Sequence, residues 1–204
     1  MEEKKNRNRN RNSNKTQSQT KRRKRVTVDR DVEVVIASNT IGEFYYSNPR
    51  MSMVIDLAKI GDEEYVTVGD LRAMVNTDRK YLESFKIIIN DVLDERYTIE
   101  DVYTFLGLEK AYQQFYEMAD KEPNDYLSSE DIKDFILNTP YDEFEHKLEN
   151  MEQRLRSSVI EQAVILFKLK IFSDYNKMQA ISSYVSEDLF NDAIETEVDE
   201  DVYI

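Results

Sequence analysis

Between Glu2 and Arg25 there is not one apolar side chain. A segment with no apolar face at any period cannot offset the entropy of being ordered by burying surface. Whatever this chain folds into must therefore begin at Val26. The same boundary divides the charge. Residues 1–25 hold eleven Lys/Arg against two Glu, net +9. Residues 26–204 hold seventeen Lys/Arg against thirty-nine Asp/Glu, net −22, and the two sum to the −13 of the whole chain. One polypeptide thus offers an arm that neutralises polyanions and a body that repels them. Hydrophobic residues are 40% of the chain, and since nearly all of them follow the arm, the remainder can bury an ordinary globular core.

With no cysteine there is no disulfide framework, thiolate nucleophile or thiolate-held metal, a pattern that fits a reducing compartment. No apolar run approaches the roughly 20 residues that span a bilayer. The basic start has no apolar segment behind it, so it is not expected to be a secretory signal.

The arm reads NRNRNRNSN over residues 6–14 and KRRKR over residues 21–25. It is expected to be flexible and disordered by itself. Four uses fit it: a solubilising tail, a nuclear localisation signal at KRRKR, a nucleic-acid contact, or an arm threaded over acidic neighbouring subunits. No aromatic residue interleaves the basic ones, so base stacking is not supported, and a nucleic-acid contact would be to phosphates, without sequence preference. The residues expected to hold DNA or an acidic partner are Arg7, Arg9, Arg11, Lys21, Arg22, Arg23, Lys24 and Arg25.

From Val26 the pattern changes. Residues 31–37 (DVEVVIA) alternate, residues 41–46 (IGEFYY) and 52–57 (SMVIDL) follow after polar breaks, and Gly61-Asp62 turns into a fourth short strand at 64–66. The spacing predicts an antiparallel meander. Thr67-Val68-Gly69-Asp70 reads as a capping box that opens a helix, and residues 86–90 (KIIIN) as a returning buried strand.

After about residue 95 the period becomes helical. Thr98-Ile99-Glu100-Asp101 repeats the capping pattern, with a stop near Gly107. Helices are predicted over 108–120, 130–138 (capped by Ser129), 140–151, 154–170, 174–185 (capped by Ser173) and 187–194 (capped by Ser186), the 154–170 helix being central. The fold class is α+β: a disordered basic arm at 1–25, a small antiparallel β-rich unit at 26–95, a helical bundle at 96–195 and an acidic tail at 196–204.

No constellation carries chemistry. The only histidine, His146, sits among Glu143, Glu145 and Glu149 and reads as a solvated helix face. The run Gly61-Asp62-Glu63-Glu64, with Asp56 and Asp70, lacks the alternating oxygen spacing of a calcium loop. Four glycines form neither a P-loop nor a dinucleotide fingerprint. No enzyme, metal or cofactor is expected. Thirteen tyrosines and no tryptophan point elsewhere. Singly, each is expected at the rim of the core; as a set, Tyr45, Tyr46, Tyr112, Tyr116, Tyr126, Tyr175 and Tyr184 suit a subunit interface that is dry on one side and wet on the other.

Three stretches carry a resemblance: SNTIGEFYY at 38–46; VTVGDLRAM, DRKYLESFKIIINDV and DVYTFLGL within 66–108; and FKLKIFSDYNKMQAI with DLFNDAI within 167–194. Together they resemble a group of virion-associated structural proteins from large tailed bacteriophages of Firmicutes. The NRNRNR arm departs from that group's usual start. The resemblance implies a non-catalytic head, neck or tail component, made in the host cytoplasm and located in the virion as part of a multi-subunit assembly. Its partners would be other virion proteins, with packaged DNA reached through the arm and no membrane. The alternatives from other classes are a phage regulator that binds nucleic acid or the host transcription machinery, and an assembly scaffold or chaperone that leaves the finished particle. Against the regulator, no predicted helix has the basic face of a groove reader.

Overall fold

The structure, a computed structural model, describes residues 26–49, 52–186 and 189–190. Val34, Val35, Ile36 and Ala37 follow one another along β1 (Glu33–Ser38), and all four are buried. A strand buried on both faces sits in the interior of a sheet, with a neighbour on each edge. Those neighbours are β4 (Glu63–Thr67) and β5 (Ile87–Val92), both antiparallel, giving the order β4-β1-β5. Among the described residues the remaining strands, β2 (Phe44–Asn48) and β3 (Met53–Leu57), pair only with each other. Their alternation buries Phe44, Tyr46, Met53, Ile55 and Leu57 and turns Tyr45, Val54 and Asp56 outward.

This corrects the sequential meander. The end of β1 is held on both sides: Ser38 N–H donates to Asp62 O and Asn39 N–H to Lys86 O, each at 2.9 Å. No edge of β1 is left for β2. The second strand also begins later than its apolar pattern suggests, because Gly42 at φ 110° interrupts the extended run.

The two T-x-x-D boxes form as the sequence predicts. Thr67 caps α1 (Val68–Asp78) and Thr98 caps α3 (Ile99–Leu106), each with the Asp three residues on returning its carboxylate to the cap's N–H. A short α2 (Lys80–Glu83) leads into β5. Then follow α4 (Glu109–Ala119), α5 (Asp131–Asn138), α6 (Tyr141–Asn150), α7 (Gln153–Lys168) and α8 (Tyr175–Ser182). With small antiparallel sheets and eight helices among the described residues, the protein is α+β.

Two expected caps are not used: Ser129 does not cap α5, whose N-cap Glu130 makes no side-chain cap bond, and Ser173 does not cap α8. The turn before α5 is organised by Ser128, whose N–H donates to Asp131 (2.8 Å) while its hydroxyl accepts from Glu130 N–H (3.1 Å). Asp174, not Ser173, caps α8 by accepting the Lys177 N–H. The 187–194 helix and the acidic tail lie outside the described residues, apart from Leu189 and Phe190. Phe190 packs on Phe167 and Phe172, with ring centroids at 5.3 and 6.1 Å.

The buried apolar side chains from Val28 to Ile181 form one contiguous cluster. Residues 26–95 and 96–195 differ in secondary structure yet share it. Ile89 N–H, beside the bulge that leaves Asn90 out of register, donates to the Tyr112 hydroxyl of α4 at 3.0 Å. From α7, Gln162 donates to Asn39 O at 3.1 Å, and Glu161 pairs with Lys86.

Candidate functional site

The arm cations Arg7, Arg9, Arg11, Lys21, Arg22, Arg23, Lys24 and Arg25 all lie outside the described residues, and the chain enters the structure at Val26. Its point of entry is firmly placed. Val28 and Val32 are buried, and the carbonyls of Arg30 and Val32 accept the Gly69 and Val68 N–H groups at the start of α1, at 2.8 and 2.9 Å. Gly69 permits this approach: a Cβ there would meet Arg30 O at 3.1 Å.

Val26 forms part of the wall of a cleft of about 650 Å³ between α3, α4 and the loop after α4. Each wall is built by local chemistry. The Thr98 box starts α3, and Gly107 at φ 72° stops it, with Leu108 N–H returning to Tyr103 O at 2.8 Å. Only Gly107 and Leu108 therefore separate α3 from α4, which then buries Tyr112, Phe115, Tyr116 and Met118. Glu109, Gln113 and Glu117, spaced by four, form one stripe along the cleft side of α4. The third wall is the 121–123 loop, tied down where Asn124 Oδ1 accepts the Glu100 N–H at 2.9 Å.

Five carboxylates line this cleft: Glu100, Asp101, Glu109, Glu117 and Glu122. The single cation among its described lining residues, Lys121, turns its ammonium to both oxygens of Asp131 (2.7 and 2.8 Å) and to Tyr126 O. Two buried tyrosines, Tyr103 and Tyr116, also line it. Burial pushes the Tyr116 hydroxyl up to about 12, with nearby Asp125 and Glu100 adding to the effect. It pushes Tyr103 up as well, beside Glu100 and Glu109. The Tyr116 hydroxyl donates to Asp125 O at 3.4 Å. Tyr103 is 5% exposed, and its hydroxyl has no hydrogen-bond partner among the described residues.

Elsewhere the body's cations are drawn to helix ends. Arg72 donates to Phe105 O at 3.1 Å and Arg79 to Gly107 O, both at the end of α3. Lys147 reaches Met118 O and Asp120 at the end of α4. Lys177, buried, donates to Ile136 O at 2.7 Å at the end of α5. Arg156 serves Leu148 O, Glu149 O and Met151 O after α6. These contacts satisfy helix-end carbonyls, and the excess of acids over cations in residues 26–204 sets the negative field of the body.

Of the tyrosines expected at an interface, Tyr46, Tyr112 and Tyr116 are core residues, a correction that follows from their places on buried faces. Tyr45, Tyr126, Tyr175 and Tyr184 are exposed, as is Tyr65. His146 is exposed on α6 and hydrogen-bonds within its own helix through Asn150. Asp70 is taken up by its capping box, and Glu64 accepts the Asp56 N–H. Among the described residues no three His, Asp or Glu side chains converge as a metal-holding group, and no helix is long and apolar enough to cross a membrane. The sequence reading missed the cleft. Its one sequence signal is the Glu109-Gln113-Glu117 stripe, which does not stand out among thirty-nine body acids.

No family model, curated protein or solved structure matches the chain.

Proposed function

We propose that this chain is a non-catalytic structural protein of a tailed-bacteriophage particle. Its acidic body docks on neighbouring virion proteins, and its basic arm contacts packaged DNA or an acidic subunit surface. The observation that carries this reading is the charge segregation: net +9 in residues 1–25 against net −22 in residues 26–204, with body cations spent on internal carbonyls. A field so divided favours holding two unlike partners at once. The outward Tyr45 and Val54 of the β2–β3 hairpin, with Tyr65 of β4, supply exposed apolar bodies for protein docking.

Two measurements test this. Mass spectrometry of purified mature particles should find the chain at structural abundance; absence would assign it to the scaffold or regulator class instead. Filter binding to duplex DNA, with and without residues 1–25, should show affinity that depends on the arm. Six to ten phosphate contacts would lose about 10³–10⁵ in affinity between roughly 50 and 200 mM salt. Weak binding that ignores salt removes nucleic acid from the partners, and binding that survives removal of the arm removes the arm as its contact.

A further inference from the structure

We infer that the α3–α4 cleft is the resting seat of the chain's own basic run, residues 21–25, docked in cis and freed when a polyanion takes the arm. The docking half stands on the cleft itself; the release half rests on the polyanion reading above.

Two independent observations converge on this occupant. The first is position. Val26 lines the cleft and is anchored through Val28 and Val32, so Arg25 begins one peptide bond from the wall. Five extended residues reach about 17 Å, while the stripe from Glu109 to Glu117 runs about 12 Å along α4. The run is long enough to lie along it.

The second is charge. KRRKR brings five cations to a cleft whose described lining holds five carboxylates, one of them (Asp101) also engaged in capping α3, while the lysine in that lining is already committed to Asp131. Guanidinium groups offer forked donors to carboxylates and bond them more strongly than neutral donors do.

The chain's own arm is preferred over a neighbour's because a short flexible tether gives an effective concentration in the millimolar range. The consequence is a competition. A seated arm is withheld from other anions until one of them outbids the cleft, and anion binding in turn empties the seat.

The chain has no cysteine, so Thr20→Cys provides a single attachment point for a nitroxide beside the basic run. In the isotope-labelled full chain without nucleic acid, amide resonances over residues 100–104 and 109–117 should broaden, and a short DNA duplex should restore them. The body variant Glu100→Gln/Glu117→Gln/Glu122→Gln should abolish the broadening. So should replacement of Lys21, Arg22, Arg23, Lys24 and Arg25 by Gln, which leaves the folded body untouched. The body variant should also bind DNA about tenfold more tightly if nine-tenths of arms are seated. A charge-matched control on α6 (Asp142→Asn, Glu145→Gln, Glu149→Gln) should show no such gain.

Sharp cleft resonances in the free protein would overturn the seat, even if salt-dependent DNA capture persisted and left the polyanion reading intact. Broadened resonances without DNA capture would keep the seat and overturn release. Broadening in a mixture of spin-labelled unlabelled-isotope chain with isotope-labelled unmodified chain would move the occupant to a second copy and overturn docking in cis.

Discussion

Tyr112 shows how one side chain can tie a sheet to a helix. It is fully buried on α4, stacks on Tyr103 at 4.8 Å, and its oxygen accepts the Ile89 N–H that lies next to the bulge in β5. Tyr112→Phe keeps the ring and strands that N–H, so it should destabilise the fold by about 1–3 kcal/mol in a denaturant titration. The buried tyrosines also predict an alkaline limit. Burial holds the Tyr116 hydroxyl at about 12 against an ordinary 10.0. From about pH 10 the unfolded chain releases this proton while the folded chain keeps it, so stability is full below that point and falls as the pH climbs toward about 12. Tyr103 and Tyr112, also pushed up by burial, act in the same direction. Melting temperatures across this range should fall together with the rise of tyrosinate absorbance, and Tyr116→Phe should flatten the fall. A stability that stays level through this range would contradict the assignment.

At the scale of elements, the helices are closed by different means at their two ends. N-termini use local chemistry: Thr67 with Asp70, Thr98 with Asp101, and Asp174 with the Lys177 N–H. C-termini borrow cations from elsewhere in the chain, as Arg72 and Arg79 do for α3 and Arg156 does for α6. The two devices predict different losses. Thr98→Ala should cost about 1 kcal/mol. Arg156→Leu removes three carbonyl contacts and the approach of its guanidinium to the Tyr184 ring at 4.2 Å. It should cost about 1.5–3 kcal/mol, and amide hydrogen exchange should rise first at the end of α6. Gly107→Ala places a Cβ at φ 72° and should cost about 1–2 kcal/mol. Because Gly107 sets the turn from α3 into α4, that variant should also disturb the cleft resonances.

For the whole molecule, one contiguous core spanning Val28 to Ile181 predicts a single cooperative melt in which far-ultraviolet and tyrosine signals coincide. The charge predicts its salt dependence. Residues 26–204 alone carry net −22, so their self-repulsion should be relieved as the Debye length shrinks from about 30 Å at 0.01 M to about 3 Å at 1 M ionic strength. The melting temperature of a chain lacking residues 1–25 should rise with salt, and more steeply than that of the full chain, whose arm supplies compensating positive charge.

Much of this fold could be read from residues close together in sequence. The capping boxes at Thr67 and Thr98, the alternation of β3, the stop at Gly107 and the break in character at Val26 depend on neighbours within about four positions, where spacing alone dictates which groups meet. The arm's net +9 and the body's net −22 were equally plain. Tertiary structure alone decided that β4 and β5, rather than β2, flank β1, that several of the body's cations serve distant carbonyls, and that Glu100 and Glu117 line one cleft with Val26. These are contacts between residues far apart in the chain. Local spacing does not encode them, because they depend on which buried faces find cover and which helix ends find a donor once the core has closed.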